Sequence, residues 1–270
     1  MSHSTISLGL GLGGGKSATS SGSPGGGAFS NEYSALFDGG DDTATLADTG
    51  IATASQSAYT FSCWAKFDSV VNNSGPFTVV GGTSYADWTF ASWWRIESSG
   101  NLLQWYHCHK DDSEAPSRYV INAGTLTGAG LSAFTTGQWY HLMATWSGSE
   151  IKTYVNGTLI ATTTGVSAWK GRTSTNYGLI FARNWKAFYD GYTDEFAWIP
   201  TDQSAAVADI YNGGEPTDLS SSGLDLSPLF YYRMGDDDGG TGTIVTNPKG
   251  SGTGNLALNN GAAFASEVPS

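Results

Sequence analysis

The chain is short of cysteine, of basic residues and of long apolar runs, and each shortage removes a class of protein. Two cysteines in 270 residues, Cys63 and Cys108, cannot build a disulfide framework. Cys63 alternates with Phe61 and Ala65, the setting of a small buried hydrophobe. Twelve Lys and Arg stand against 24 Asp and Glu, a net charge of −12. A nucleic-acid partner needs a basic footprint, and the sequence has none. An anionic membrane surface is disfavoured for the same reason, and no apolar run reaches the length of a membrane span. The first fifteen residues lack Lys and Arg, and glycine interrupts their leucines, unlike a secretory signal. Any extracellular role is therefore expected to depend on another route of delivery.

Catalytic signatures are missing as well. No G-x-S-x-G nucleophile elbow occurs. Leu8 to Ser17 approaches a phosphate loop, but counting back from Gly15-Lys16-Ser17 puts Leu10 where the first glycine belongs. His107-Cys108-His109 with His141 could offer soft metal ligands. Strand alternation, however, sets Cys108 against the two histidines, which spoils a tetrahedral zinc set.

What the chain has in quantity is glycine and aromatic residues: Gly 37, Trp 10, Tyr 13, Phe 12. Residues 1–28 are Gly/Ser-rich and cannot bury enough apolar area to offset their ordering entropy. They are expected to form an extended arm, with Ile6, Leu8, Leu10 and Leu12 as its apolar handles for assembly. Residues 29–270 then form one domain. Gln138 to Trp146 is apolar or aromatic on both faces, the mark of a central strand covered on both sides. Glu150 to Val155 alternates with period two, Asn156-Gly157 supplies a type I′ hairpin turn, and Leu159 to Thr163 resumes the alternation. Further short strands follow from Tyr33 to Asp48, Tyr59 to Phe67, Pro76 to Thr83, a hairpin from Ala91 to Lys110, Arg118 to Ala123, Gly178 to Arg183, Tyr192 to Ile199, Leu229 to Met234, Gly242 to Thr246 and Leu256 to Phe264. One helix is predicted at Asp202 to Asn212, capped by Thr201 or Asp202 and stopped by Gly213-Gly214. The fold class is all-β, a two-sheet antiparallel jelly-roll sandwich.

The run from Trp139 to Gly157, with Tyr33 to Gly39, Tyr59 to Phe67 and Gly191 to Tyr211, resembles laminin-G-like jelly rolls. These belong to the concanavalin-A-like sandwich superfamily, which includes pentraxin relatives. The resemblance implies three candidate activities. Some relatives cut glycans with a Glu-x-Asp-x-x-Glu strand. Here no Glu is followed by Asp two positions later, and adjacent Asp194-Glu195 should point to opposite faces, so the chain is expected to be a non-enzyme. The family's structural calcium implies Asp38 and Asp194 as oxygen ligands, Asp41 lies close to Asp38 in sequence and joins them as a candidate, and Ca2+ is the candidate cofactor. Glycan binding implies exposed aromatics, for which Trp93, Trp94, Trp105 and Trp185 are the candidates.

An acidic sandwich with a Gly-rich arm and no signal also resembles accessory proteins of tailed-phage particles. On that reading the chain is a non-catalytic virion protein. It decorates a capsid or tail, and its partners are other virion subunits or copies of itself. The alternatives are a carbohydrate-binding lectin or adhesin, located outside the cell, and a glycan-cleaving enzyme.

Overall fold

The computed structural model describes residues 29–47, 57–81, 90–97, 99–109, 118–166, 177–182, 187–220, 224, 226–249 and 254–270. The arm handles Ile6, Leu8, Leu10 and Leu12 lie outside them. In chain order the strands are β1 (Ser34–Asp38), β2 (Thr43–Ala47), β3 (Tyr59–Ser69), β4 (Phe77–Gly81), β5 (Phe90–Ile96), β6 (Leu102–His109), β7 (Arg118–Thr125) and β8 (Trp139–Trp146). They continue with β9 (Glu150–Val155), β10 (Thr158–Thr164), β11 (Tyr177–Phe181) and β12 (Asp190–Ile199). After the helix α1 (Val207–Tyr211) come β13 (Phe230–Tyr232), β14 (Ile244–Val245), β15 (Leu256–Asn259) and β16 (Ala263–Ala265).

The strands form two antiparallel sheets of eight. The first runs β10-β9-β8-β3-β12-β1-β16, with β13 also paired to β12; the second runs β14-β15-β2-β11-β4-β5-β6-β7. The expected central strand β8 does sit inside the first sheet, between β9 and β3. Asn156 and Gly157 both take positive φ, 49° and 72°, as a type I′ turn requires. The Asn156 side chain also accepts a bond from the His141 amide at 2.9 Å, which ties the turn back to β8.

Two expectations need correction. The predicted strand from Leu256 to Phe264 is two strands in different sheets: β15 pairs with β2, and β16 pairs with β1. The predicted helix is shorter than its sequence signal. Asp202 accepts from the Ser204 amide at 2.9 Å and forms a turn of its own, so the α-helix begins only at Val207 and has no side-chain cap.

The core lies between the sheets. Phe61, Phe77, Phe181 and Phe196 meet there at ring separations of 4.7 to 6.3 Å. Tyr59 of the first sheet accepts a bond from Trp105 Nε1 of the second at 3.0 Å and meets His107 Nδ1 at 2.8 Å. A second, smaller apolar cluster covers part of the outer face of the first sheet. Val207, Ile210 and Leu219 pack there on Met143, Tyr154, Ala197, Ile199 and Tyr231. The segment around α1 thus roofs one half of that face.

Candidate functional site

The sequence candidates separate when placed on the fold. Trp94 and Trp105 are fully buried between the sheets and pack edge to face at 4.9 Å. Trp93 does point the other way, as alternation requires. It stacks on Tyr106 at 4.5 Å and 12°, but keeps only 5% of its exposure. None of the three offers an open ring face to a sugar. Large flat side chains contribute most when buried, and this core has taken them. Trp185 lies outside the described residues. His107 is buried between the sheets against Tyr59 and Trp146, whereas His141 faces the outer side of the first sheet, bonded to Ser62 Oγ at 2.8 Å.

The three candidate calcium ligands do not converge. Asp38 pairs in register with Asp190. Asp194 lies four residues further along β12, roughly 13 Å at the usual strand rise. Asp41 is exposed, while Asp194 is buried and already accepts from Asn31 Nδ2 at 3.0 Å. Among the described residues no group of three or more His, Cys, Asp or Glu is arranged to hold a metal ion. Asp194 therefore stands apart from Asp38, and the three acids do not form one cluster.

Asp194 and Glu195 also correct the alternation argument. A β-bulge interrupts the pairing of β12 with β3 between Asp194 and Ala197, and Glu195 takes φ 45° there. The extra residue breaks the period of two, so both acids lie on the outer side of the sheet. Both are nevertheless buried. The Tyr231 hydroxyl donates to Glu195, and Arg233 Nε lies 3.2 Å from its other oxygen. Arg233 also pairs with Asp236 at 2.9 Å and donates to the Ser30 carbonyl. Asp236 in turn accepts from the amides of Glu32 and Tyr33 at 2.7 and 3.0 Å. Arg233 lies over the Phe29 ring at 4.5 Å. Residues 29–33, which precede the first strand, are thus held by side chains on β12 and after β13. Burial, and then Glu195 beside it, holds the Asp194 carboxyl well above the usual range. Burial likewise pushes Glu195 up to about 8, against the opposing pull of Arg233. The cluster is a closed internal network; its acids are not placed to flank an incoming bond.

The open half of the same outer face carries a different arrangement. Register sets Trp139 of β8 opposite Lys66 of β3, Lys66 opposite Tyr192 of β12, Tyr192 opposite Leu36 of β1, and Leu36 opposite Ala263 of β16. This single row crosses five adjacent strands. Trp139, Tyr192 and Leu36 are half-buried, so part of each still meets solvent. The Trp139 and Tyr192 rings stand 6.2 Å apart at 58°. Lys66, almost fully buried, puts its ammonium 4.3 Å from the Tyr192 ring and pairs with Glu267. Exposed Asp68 follows on β3, and Asp190, half-buried, accepts from Ser69 Oγ at 2.5 Å. The Lys66 bond holds Glu267 below the usual carboxylate range.

Two half-open aromatic faces ringed by carboxylates can stack on the C–H face of a pyranose and accept bonds from its hydroxyls. The sequence reading missed this row because Trp139 begins a strand that is apolar on both faces. The available signal was Lys66, a charge on an otherwise buried strand that must find a partner.

Comparison with known proteins bears on the fold. The solved structure of a putative carbohydrate binding protein from Bacteroides ovatus matches with a TM-score of 0.58 at 14% identity, over 89% of this chain. This chain spans 62% of that protein's length. A heptameric SAP-like pentraxin from Limulus polyphemus matches over 67% of this chain and 82% of its own, with 15% identity and a TM-score of 0.47. Domains LG4-5 of the mouse laminin alpha1 chain match over 62% of this chain and 41% of their own, with 13% identity and a TM-score of 0.44. No curated protein matches the sequence. The family described as the concanavalin A-like lectin/glucanases superfamily matches residues 38–206, more than half of the chain. With its two antiparallel sheets and this match, the chain belongs to the concanavalin A-like lectin/glucanase superfamily.

Proposed function

We propose that this chain is a carbohydrate-binding, lectin-like module that holds a glycan on the open half of its first sheet and does not cleave it. The observation that carries the reading is the Trp139–Lys66–Tyr192–Leu36 row, left half-open on a face that the α1 segment otherwise roofs. Membership of a lectin and glucanase superfamily supports it, and the similar Bacteroides ovatus protein is described as a putative carbohydrate binding protein. The state of the acids on β12 supports binding without turnover: the buried pair Asp194 and Glu195 faces Asn31, Tyr231 and Arg233 rather than solvent. An oligosaccharide array followed by titration tests this directly. Trp139→Ala should weaken binding at least about tenfold while leaving the melting temperature close to that of the parent. A reducing-end release assay on the same glycans should stay at the level of a boiled control. Undiminished binding by the variant would move the site elsewhere, and release of sugar ends would make the chain an enzyme.

Attachment to a virion through residues 1–28 is a separate reading. Its residues lie outside the described structure, and the lectin reading has the more specific support.

A further inference from the structure

Resting on the glycan reading above, we infer that the ligand of the Trp139–Tyr192 row is an uncharged, linear glycan that lays at least two consecutive sugar rings on it. The first ground is geometry. The two aromatic rings stand on β8 and β12, with β3 between them, yet lean to within 6.2 Å of each other. That separation resembles the spacing of neighbouring pyranoses in a linear chain. The 58° between the ring planes makes the platform twisted, so it suits a chain whose successive sugars are rotated rather than a single flat unit.

Charge supplies the second ground. Lys66 is the cation of the row, and it is already engaged. Its side chain is 6% exposed, paired with Glu267 and set against the Tyr192 ring. Around it stand Asp68, Asp190 and Glu267, the last 52% exposed. An approaching sulfate or uronate would meet three carboxylates and no free cation among these residues. The chain's net charge of −12 would oppose it at longer range as well. A neutral sugar meets no such repulsion, and its hydroxyls find the same carboxylates as acceptors.

The test uses the full chain and two sets of oligosaccharides of matched length. One set is neutral: cello-, xylo- and N-acetylchito-oligosaccharides. The other is anionic: oligogalacturonate and heparin-derived fragments. Members of the neutral set should bind at least about tenfold more tightly than any anionic one, with little change between low and high salt. Trisaccharides should exceed their monosaccharides by a similar factor. Tyr192→Ala should lose most of this binding, and Tyr192→Phe, which keeps the ring, should retain it. The paired change Asp68→Asn with Glu267→Gln should raise anionic binding at low salt by about tenfold, since exposed like charges each contribute modestly. Tighter, salt-sensitive binding of the anionic set would overturn this inference and leave the glycan reading standing. Equal affinity for monosaccharide and trisaccharide would overturn the two-ring part. Failure of every sugar in both sets would overturn the glycan reading itself.

Discussion

At Gly157 the backbone takes φ 72°, and a Cβ there would sit 2.7 Å from the Tyr211 ring. Conformation and space both favour glycine. Gly157→Val should lower stability by about 1–3 kcal/mol from backbone strain alone, read as a shift in the urea midpoint with an unchanged slope. Gly157→Ala should show the smaller part of that loss, and an unaltered midpoint in both would show that the turn has another shape. His141 poses a residue-scale question of charge. Burial beside Trp64 and Tyr211 pushes its imidazole down to about 3 from an ordinary 6.5. A depressed histidine leaves the unfolded chain binding the extra proton. Its contribution to stability is therefore whole above about pH 6.5 and lost as pH falls toward 3. Midpoints measured across that range should fall less steeply in His141→Gln than in the parent. Equal slopes would place the acid sensitivity elsewhere.

At the scale of elements, the bulge in β12 turns two adjacent acids to one side of the sheet and buries them against Arg233. Here the sign is the reverse of the histidine's. Glu195, raised from 4.5 to about 8, binds its proton more tightly folded than unfolded, so its stabilising share is lost as pH rises through that window. Asp194 is raised in the same direction. Glu195→Gln should flatten the decline in stability between about pH 4.5 and 8. Arg233→Met removes the one cation paired with Glu195 among the described residues; the cost should rise toward about 3–5 kcal/mol above about pH 8, where Glu195 is charged, and be smaller below it. The same network ties residues 29–33 to the first sheet. Removing residues 1–28 should leave the melting temperature nearly unchanged. Removing residues 1–33 should lower it, because Asp236 and Asp194 then lose the Glu32, Tyr33 and Asn31 donors. A large loss from the shorter truncation would show that the arm belongs to the sandwich.

For the whole molecule, the question is what joins one sheet to the other at its edges. Asn122 of β7 donates across the gap to the Ile151 carbonyl at 2.8 Å and more weakly to Ala161. β7 can approach this closely because Gly124 has no side chain; a Cβ there would meet the Ile160 carbonyl at 2.8 Å. Asn122→Ala should cost about 1–3 kcal/mol and speed hydrogen exchange in β9 and β10 before the centre of the sheet. Uniform exchange would argue against this edge as a separate closure. The superfamily match ends at residue 206, before α1, Tyr231 and Arg233. The roof over half of the first sheet is thus supplied by the chain beyond the matched region, and that roof decides which half stays open.

Much of this was determined by local sequence. Alternation marked the strands, Asn156-Gly157 marked their turn, and the doubly apolar Trp139–Trp146 run marked the middle of a sheet, because burial on each face is written in every second residue. The adjacency of Trp93 and Trp94 even placed one of them outward. Sequence did not say how much solvent that outward ring would see, since exposure depends on what packs above it. Nor could it show that β15 and β16 divide between the sheets, or that a bulge would put Asp194 and Glu195 on one side. The row on the first sheet is the clearest case. Trp139, Lys66, Tyr192 and Leu36 are spread over more than 150 residues, and each by itself is an ordinary strand residue. Only the order of strands β8-β3-β12-β1 aligns them, because hydrogen bonding between strands, not proximity in sequence, sets what shares a face.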